Sequence, residues 1–129
     1  MIVVDTSVWI AHLRGVRTEP VWKLTSIERT NEILVGDLIL LEVLQGARDE
    51  AHAARIERDL RQFPIEPMLD ERLAVRAAAN YRELRRRGST VRRTVDVIIG
   101  TFCLERGHAL LHDDRDFDPF AMHLGMRVV

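Results

Sequence analysis

Short apolar runs recur along this chain, and each is followed by a stretch long enough to be a helix. Met1-Ile2-Val3-Val4 stops at Asp5, Ile33-Leu34-Val35 stops at Gly36, and Ala109-Leu110-Leu111 stops at His112-Asp113-Asp114. Runs this short, with no polar alternation, are the pattern of strands buried on both faces. Strands that alternate with helices predict a parallel sheet covered on both sides, the α/β class. A weaker run, Phe63 to Pro67, reads as a short strand bounded by prolines. Met126 to Val129 reads as a final one.

The intervening segments carry helix signals. Thr6 and Ser7 read as caps of a helix through Val8, Trp9, Ile10 and Leu13 that ends near Gly15. Thr18-Glu19-Pro20 opens a second helix, with proline in its first turn, running to about Asn31. Asp37 reads as the cap of a third, Leu38 to about Ala47. Asp49 begins a fourth, with Ala53, Ile56, Leu60 and Phe63 on one face. Asp70 caps a long fifth helix that Gly88 ends, and Val95 to Glu105 forms a sixth, ended by Gly107. Asp118 reads as the cap of a short helix from Pro119.

At 129 residues the chain fits one domain, residues 1–129, with 47% hydrophobic and 30% charged side chains. The single cysteine, Cys103, rules out an intrachain disulfide and a cysteine-based zinc site. No apolar run approaches the ~18 residues of a membrane span, and no signal peptide is evident, so a cytoplasmic location without membrane contact is expected. The net charge of -1 points to no partner by itself.

Four acids stand out from their surroundings. Asp5 directly follows the first strand, where ligands bind in open α/β sheets; its alternative role is to cap the next helix. Glu42 sits in Leu38-Ile39-Leu40-Leu41-Glu42-Val43-Leu44, a helix apolar nearly all round and therefore expected to be buried. A buried carboxylate needs a cation, either an ion-pair partner or a metal. Asp96 repeats the problem within Thr94-Val95-Asp96-Val97-Ile98-Ile99, where the helix dipole compensates only part of the cost. Thr94 reads as the simple cap there. The turn His112-Asp113-Asp114-Arg115-Asp116-Phe117-Asp118 brings further acids to a strand end, some of them ordinary turn and cap residues. If these groups converge, their like charges raise one another's pKa, and a divalent cation relieves the repulsion. Carboxylate oxygens without cysteine select Mg²⁺, or Mn²⁺ in its place, over zinc.

The blocks Val3-Val4-Asp5-Thr6-Ser7-Val8, Glu42-Val43-Leu44-Gln45-Gly46, Thr94-Val95-Asp96-Val97-Ile98 and Leu110-Leu111-His112-Asp113-Asp114-Arg115-Asp116-Phe117, in this order, together resemble the PIN domain. More narrowly they resemble the VapC-type toxins of bacterial toxin–antitoxin pairs. The resemblance implies a three-layer, Rossmann-like fold with a mostly parallel sheet, and a Mg²⁺-dependent endoribonuclease. It assigns catalysis and metal binding to Asp5, Glu42, Asp96 and Asp114, with Thr6, Thr94 and Asp116 in supporting places. It also implies a cognate antitoxin and a homodimer. Where the family carries Thr or Ser, this chain has His112, and Asp113 adds an acid to the turn.

An RNA substrate beside an acidic pocket calls for basic groups at its rim. Arg82, Arg85, Arg86, Arg87, Arg92 and Arg93 lie just before Asp96, with Arg85, Arg86, Arg92 and Arg93 as the candidate phosphate contacts. The alternative for this cluster is a solvated helix face paired with local acids such as Glu83. A non-catalytic scaffold of the same fold that binds RNA or protein is the second functional reading. A phosphatase of the Asp-x-Asp type is disfavoured by Ser7 in place of its second acid. A receiver domain is disfavoured because the only lysine, Lys23, lies early.

Overall fold

The computed structural model describes all residues, 1–129. Strand β1 (Ile2–Val4) leads through α1 (Thr6–Leu13) and α2 (Glu19–Ile27) to β2 (Ile33–Gly36). Helices α3 (Asp37–Gln45) and α4 (Glu50–Leu60) then precede β3 (Ile65–Glu66). Helices α5 (Glu71–Arg86) and α6 (Thr94–Arg106) lead to β4 (Ala109–Leu111), a 3₁₀ turn (Arg115–Phe117) and α7 (Asp118–Leu124).

The sheet order is β3-β2-β1-β4, and every pairing is parallel. Val3 stands opposite Leu34 on one side and Leu110 on the other. The chain builds outward from β1 through β2 to β3, then returns to lay β4 on the opposite side of β1. The order therefore reverses between β1 and β4, and the carboxyl ends of those two strands flank the crevice where α/β sheets bind ligands. Asp5 and the turn after Leu111 sit at this point, tied by a hydrogen bond from the Asp5 N–H to the Leu111 carbonyl at 2.9 Å.

The core explains why the strands read as unbroken apolar runs. Val3, Val4, Leu34, Val35, Leu110 and Leu111 are all buried, because helices cover both faces of the sheet. The most enclosed helix is α6, in which every residue from Asp96 to Cys103 is buried. Gly100 makes that possible. A Cβ placed there would stand 2.6 Å from two ring carbons of Phe120, so α7 lies directly on the α6 backbone. Gly107 ends the helix in the left-handed conformation at φ 69°, which suits a residue without a Cβ. Burial pushes the Cys103 thiol up to about 12, which leaves it no role as a nucleophile.

Several expectations need correction. Asp5, not Thr6 or Ser7, caps α1, since its side chain accepts from the Ser7 N–H while both hydroxyl residues lie inside the helix. The second helix stops at Ile27, and Asn31 (φ 60°) is left-handed and cannot continue it. Asp37 belongs to α3, after Gly36 at the cap, and its Oδ1 accepts from the Met68 N–H at 3.0 Å to join two crossovers. Thr94 is the first residue of α6, and Arg93 holds the cap position without a side-chain bond. Asp118 likewise lies inside α7. Helix α3 is buried only along Ile39 and Val43, and Leu41 is 52% exposed. Met126 to Val129 makes a single parallel bridge, Leu110 to Val128, rather than a strand. Asp70 caps its helix as read, and Thr18 and Asp49, at the openings of theirs, hold the cap positions there.

Candidate active site

The four acids named from the sequence come from four segments, at the end of β1, on α3, in the first turn of α6 and after β4. Asp5 is fully buried. Its Oδ2 accepts from the Ser7 N–H at 3.0 Å and from the Ser7 hydroxyl at 2.5 Å. Its Oδ1 is buried with no partner. Burial raises the Asp5 pKa, the bonds from Ser7 oppose that, and the Glu42 charge adds to the rise. Glu42 accepts from the Thr6 hydroxyl at 2.7 Å through Oε1. Thr6, one residue after the first acid, thus holds the second.

Asp96 is also fully buried. Its pKa is raised, first by desolvation and further by the charges of Asp5 and Asp114, although Arg93 pulls it down. Asp114 caps the 3₁₀ turn, with Oδ1 accepting from the Asp116 N–H at 2.9 Å. Asp113 is exposed, whereas Asp114 and Asp116 are partly buried.

One guanidinium touches three of the four. The Arg93 Nε donates to Asp96 Oδ2 at 3.1 Å and Nη2 donates to Oδ1 at 2.9 Å. Arg93 Nη1 stands 3.7 Å from Glu42 Oε2, and Nη2 stands 4.0 Å from Asp114 Oδ2. No three acidic, histidine or cysteine side chains lie close enough together to hold one ion as they stand.

The turn itself is tied down by two groups that sequence reasoning did not place. Ser7, read as a cap, donates its hydroxyl proton to Asp5 and accepts from the Asp113 N–H at 3.2 Å. It therefore joins the end of β1 to the turn after β4. The signal was the Asp-Thr-Ser order itself, since a side chain two residues into α1 can fold back on its own cap. His112 accepts from the Asp114 N–H at 3.2 Å through Nδ1 and packs on Phe117 with ring centres 5.1 Å apart. It orients the Asp114 backbone. Thr94 is exposed and makes no hydrogen bond to any of the four acids.

The arginines divide. Arg92 pairs with Asp116 at 3.2 Å and lines an open hollow of about 470 Å³ with His112, Asp113, Asp114, Arg115 and Asp118. Arg93 lies among the acids. Arg86 and Arg87 both pair with Glu83, the local pairing expected of a solvated face. Arg85 stacks over Tyr81 at 5.6 Å, and Arg82 lines a groove between α5 and α6.

The raised pKa values have a measurable consequence. A carboxyl whose pKa is higher in the folded chain binds protons more tightly there than in the unfolded chain. Between the ordinary carboxylate value and the raised one, stability therefore falls as pH rises, and above that window it is level. Thermal unfolding in EDTA should show this loss on raising the pH, and Asp5→Asn should flatten it. A slope identical in the variant would mean that Asp5 contributes nothing to it.

These features define a protein class. The model of the PIN domain matches residues 2–121, and the chain belongs to the PIN-domain family. Within that family its sequence is similar to VapC proteins. It is 34% identical over 125 residues to the VapC ribonuclease Mb1587 of Mycobacterium bovis, covering 94% of this chain and 92% of that one. Ribonuclease VapC11 of Mycobacterium tuberculosis shows the same identity and coverage. Among solved structures, VapBC2 from Rickettsia felis bound to a promoter DNA fragment aligns at TM-score 0.79 with 14% identity, over 100% of this chain and 98% of that one. A toxin–antitoxin complex from Klebsiella pneumoniae aligns at 0.73 with 22% identity, over 100% and 96%. At those identities the structures speak for the fold. No helix is long and apolar enough to cross a membrane.

Proposed function

We propose that this protein is a metal-dependent endoribonuclease toxin, restrained by a cognate antitoxin, that hydrolyses RNA phosphodiester bonds with Mg²⁺ or Mn²⁺. The observation that carries the reading is the gathering of Glu42, Asp96 and Asp114 around one cation, the Arg93 guanidinium. Three carboxylates from three elements around a positive charge make a place that needs one. The donors are oxygen only, the chemistry that suits Mg²⁺. Asp5 keeps a buried oxygen without a partner. In its chemistry the donor set fits a divalent ion, although no three of these side chains stand close enough to hold one as they are.

On this reading Asp5 and Asp96 would hold the ion, and Glu42 and Asp114 would hold its water ligands or a second ion. A metal held there would supply a water of lowered pKa and neutralise charge on the phosphoryl oxygens. Asp114 and Glu42 accept hydrogen bonds from the attacking water and turn its lone pair toward phosphorus. The new P–O bond forms as the bond to the leaving ribose oxygen breaks; the attacking water gives up a proton to solvent, and the leaving oxygen takes one from solvent. Ser7, Thr6 and His112 keep the acids in place through the bonds described above. Arg92, at the hollow's rim, is set to meet a backbone phosphate, for which its forked donors are suited. No side-chain nucleophile is required.

The relatives named as VapC ribonucleases support the reaction, and the solved complexes support an antitoxin partner. Trp22, Leu41, Val75 and Met122 are exposed apolar side chains on four different helices. An antitoxin and a second copy of this chain, as a homodimer, are the covers this reading assigns to such surface. The residues 1–129 act as one domain in the cytoplasm.

Incubating the purified, antitoxin-free protein with a mixed cellular RNA pool tests the proposal. Discrete cuts with Mg²⁺ that vanish in EDTA are the expected result. A well-folded protein that cuts nothing at any Mg²⁺ or Mn²⁺ concentration would favour the non-catalytic scaffold.

A further inference from the structure

Arg93 presents a conflict that the proposed chemistry must resolve. Its guanidinium lies among the oxygens assigned to the metal, within 4.0 Å of Glu42, Asp96 and Asp114. A guanidinium and a dication repel each other and compete for the same lone pairs, so the two cannot occupy this place together. We infer that Arg93 is a built-in competitor of the divalent ion, holding the acids together while the ion is absent and yielding its place when the ion enters. The inference rests on the metal-dependent reading above.

The geometry supports an exchangeable arm. Asp96 is fully buried, whereas the Arg93 side chain is 54% exposed. The arginine therefore reaches in from outside, from the cap position of α6, where its side chain makes no capping bond to the helix backbone. Its stem is long and can swing toward solvent without disturbing the core. Two of the three acids also have another tether that survives the exchange. Glu42 keeps Thr6, and Asp114 keeps the Asp116 N–H. Only Asp96 relies on Arg93 for its hydrogen bonds among the charged groups. The guanidinium satisfies two oxygens at once, because its forked donors match a carboxylate. A compact dication with oxygen ligands neutralises more charge in less space. The competition is reciprocal, since whatever strengthens the arginine contact weakens the metal by the same factor. The charge and the donors of residue 93 thus set the ion concentration at which the site fills.

The test uses Mn²⁺ as the probe and reads binding directly, from the electron paramagnetic resonance of free Mn²⁺ titrated with protein. Arg93→Gln keeps hydrogen-bond donors at the position and removes the charge, and Arg93→Ala removes both. The dissociation constant should fall by at least about fivefold in each variant, the lower end of ordinary coupling between two ligands. In EDTA both variants should melt below the parent, and Mn²⁺ should raise their melting temperatures by more than it raises the parent's. Mn²⁺ binding that is unchanged or weaker in both folded variants overturns the inference. Asp96→Asn separates the two levels of the argument. If the parent binds Mn²⁺, Asp96→Asn does not, and the Arg93 variants match the parent, then only the competitor role fails. If parent and Asp96→Asn bind alike, the acids are not the metal site, and both readings fail.

Discussion

Asp96→Asn is expected to lower RNA cleavage by at least about a hundredfold, the scale on which one electrostatic contributor to a reaction is felt, while the protein stays folded. The substitution changes no shape. It removes one negative charge from a fully buried position where burial and the neighbouring charges of Asp5 and Asp114 already disfavour it. The ion pair with Arg93 is lost and one of its two hydrogen bonds is weakened. That loss is offset by relief from desolvation and from repulsion, so the net effect on stability is expected within about 1 kcal/mol, small beside ordinary core substitutions. The measurement pairs a cleavage time course with a thermal melt of the same preparation. Full activity in a folded variant would remove Asp96 from the reaction. Lost activity with an unfolded chain would make Asp96 a structural residue whose charge the fold needs.

The second large effect is on stability. Gly100→Ala lies in the middle of α6, where helix propensity alone favours alanine by about 1 kcal/mol. Packing argues the other way. The added methyl would meet Phe120 Cδ1 and Cε1 at 2.6 Å and Cζ at 2.9 Å. The Phe120 ring has little room to retreat, because it is fully buried and packs on Phe117 with centroids 6.4 Å apart. Overpacking of this kind typically costs about 1–3 kcal/mol, so the net expectation is destabilisation, read as a lower denaturation midpoint. Phe120→Leu in the Gly100→Ala background should recover part of the loss, since neighbours that share one space do not add independently. A neutral or stabilising Gly100→Ala would show that α7 is free to lift from α6.

Much of this architecture is legible in the sequence because burial dictates residue type. Strands covered on both faces must be apolar throughout, and Ile2–Val4, Ile33–Gly36 and Ala109–Leu111 read that way. The candidate acids are legible for the inverse reason. Asp5 and Asp96 are charges in apolar company, and only a cation or a fold-back bond makes that tolerable. What the sequence hides is direction. Asp5 and Ser7 are both good caps, and which one caps α1 depends on where the hydroxyl finds its second partner, the Asp113 N–H 106 positions away. Helix α3 reads as apolar all round, yet Leu41 faces out because Glu42 must face in. Arg93 reads as one of a run of surface arginines. A long flexible side chain has many destinations, and only the gathered acids select this one.

The return of β4 to the far side of β1 has a consequence for synthesis. Asp5 is made well before its neighbour across the crevice, which comes from the segment after Leu111. Until Ala109–Leu111 docks, β1 has an open edge, and the acids of the turn have nothing to face. Topologies dominated by such distant pairings assemble late and slowly. A chain interrupted before Ala109 would carry most of the helices and three of the four acids, yet could not close the site. Whatever damage the finished molecule does is withheld, by its own winding, from every unfinished copy.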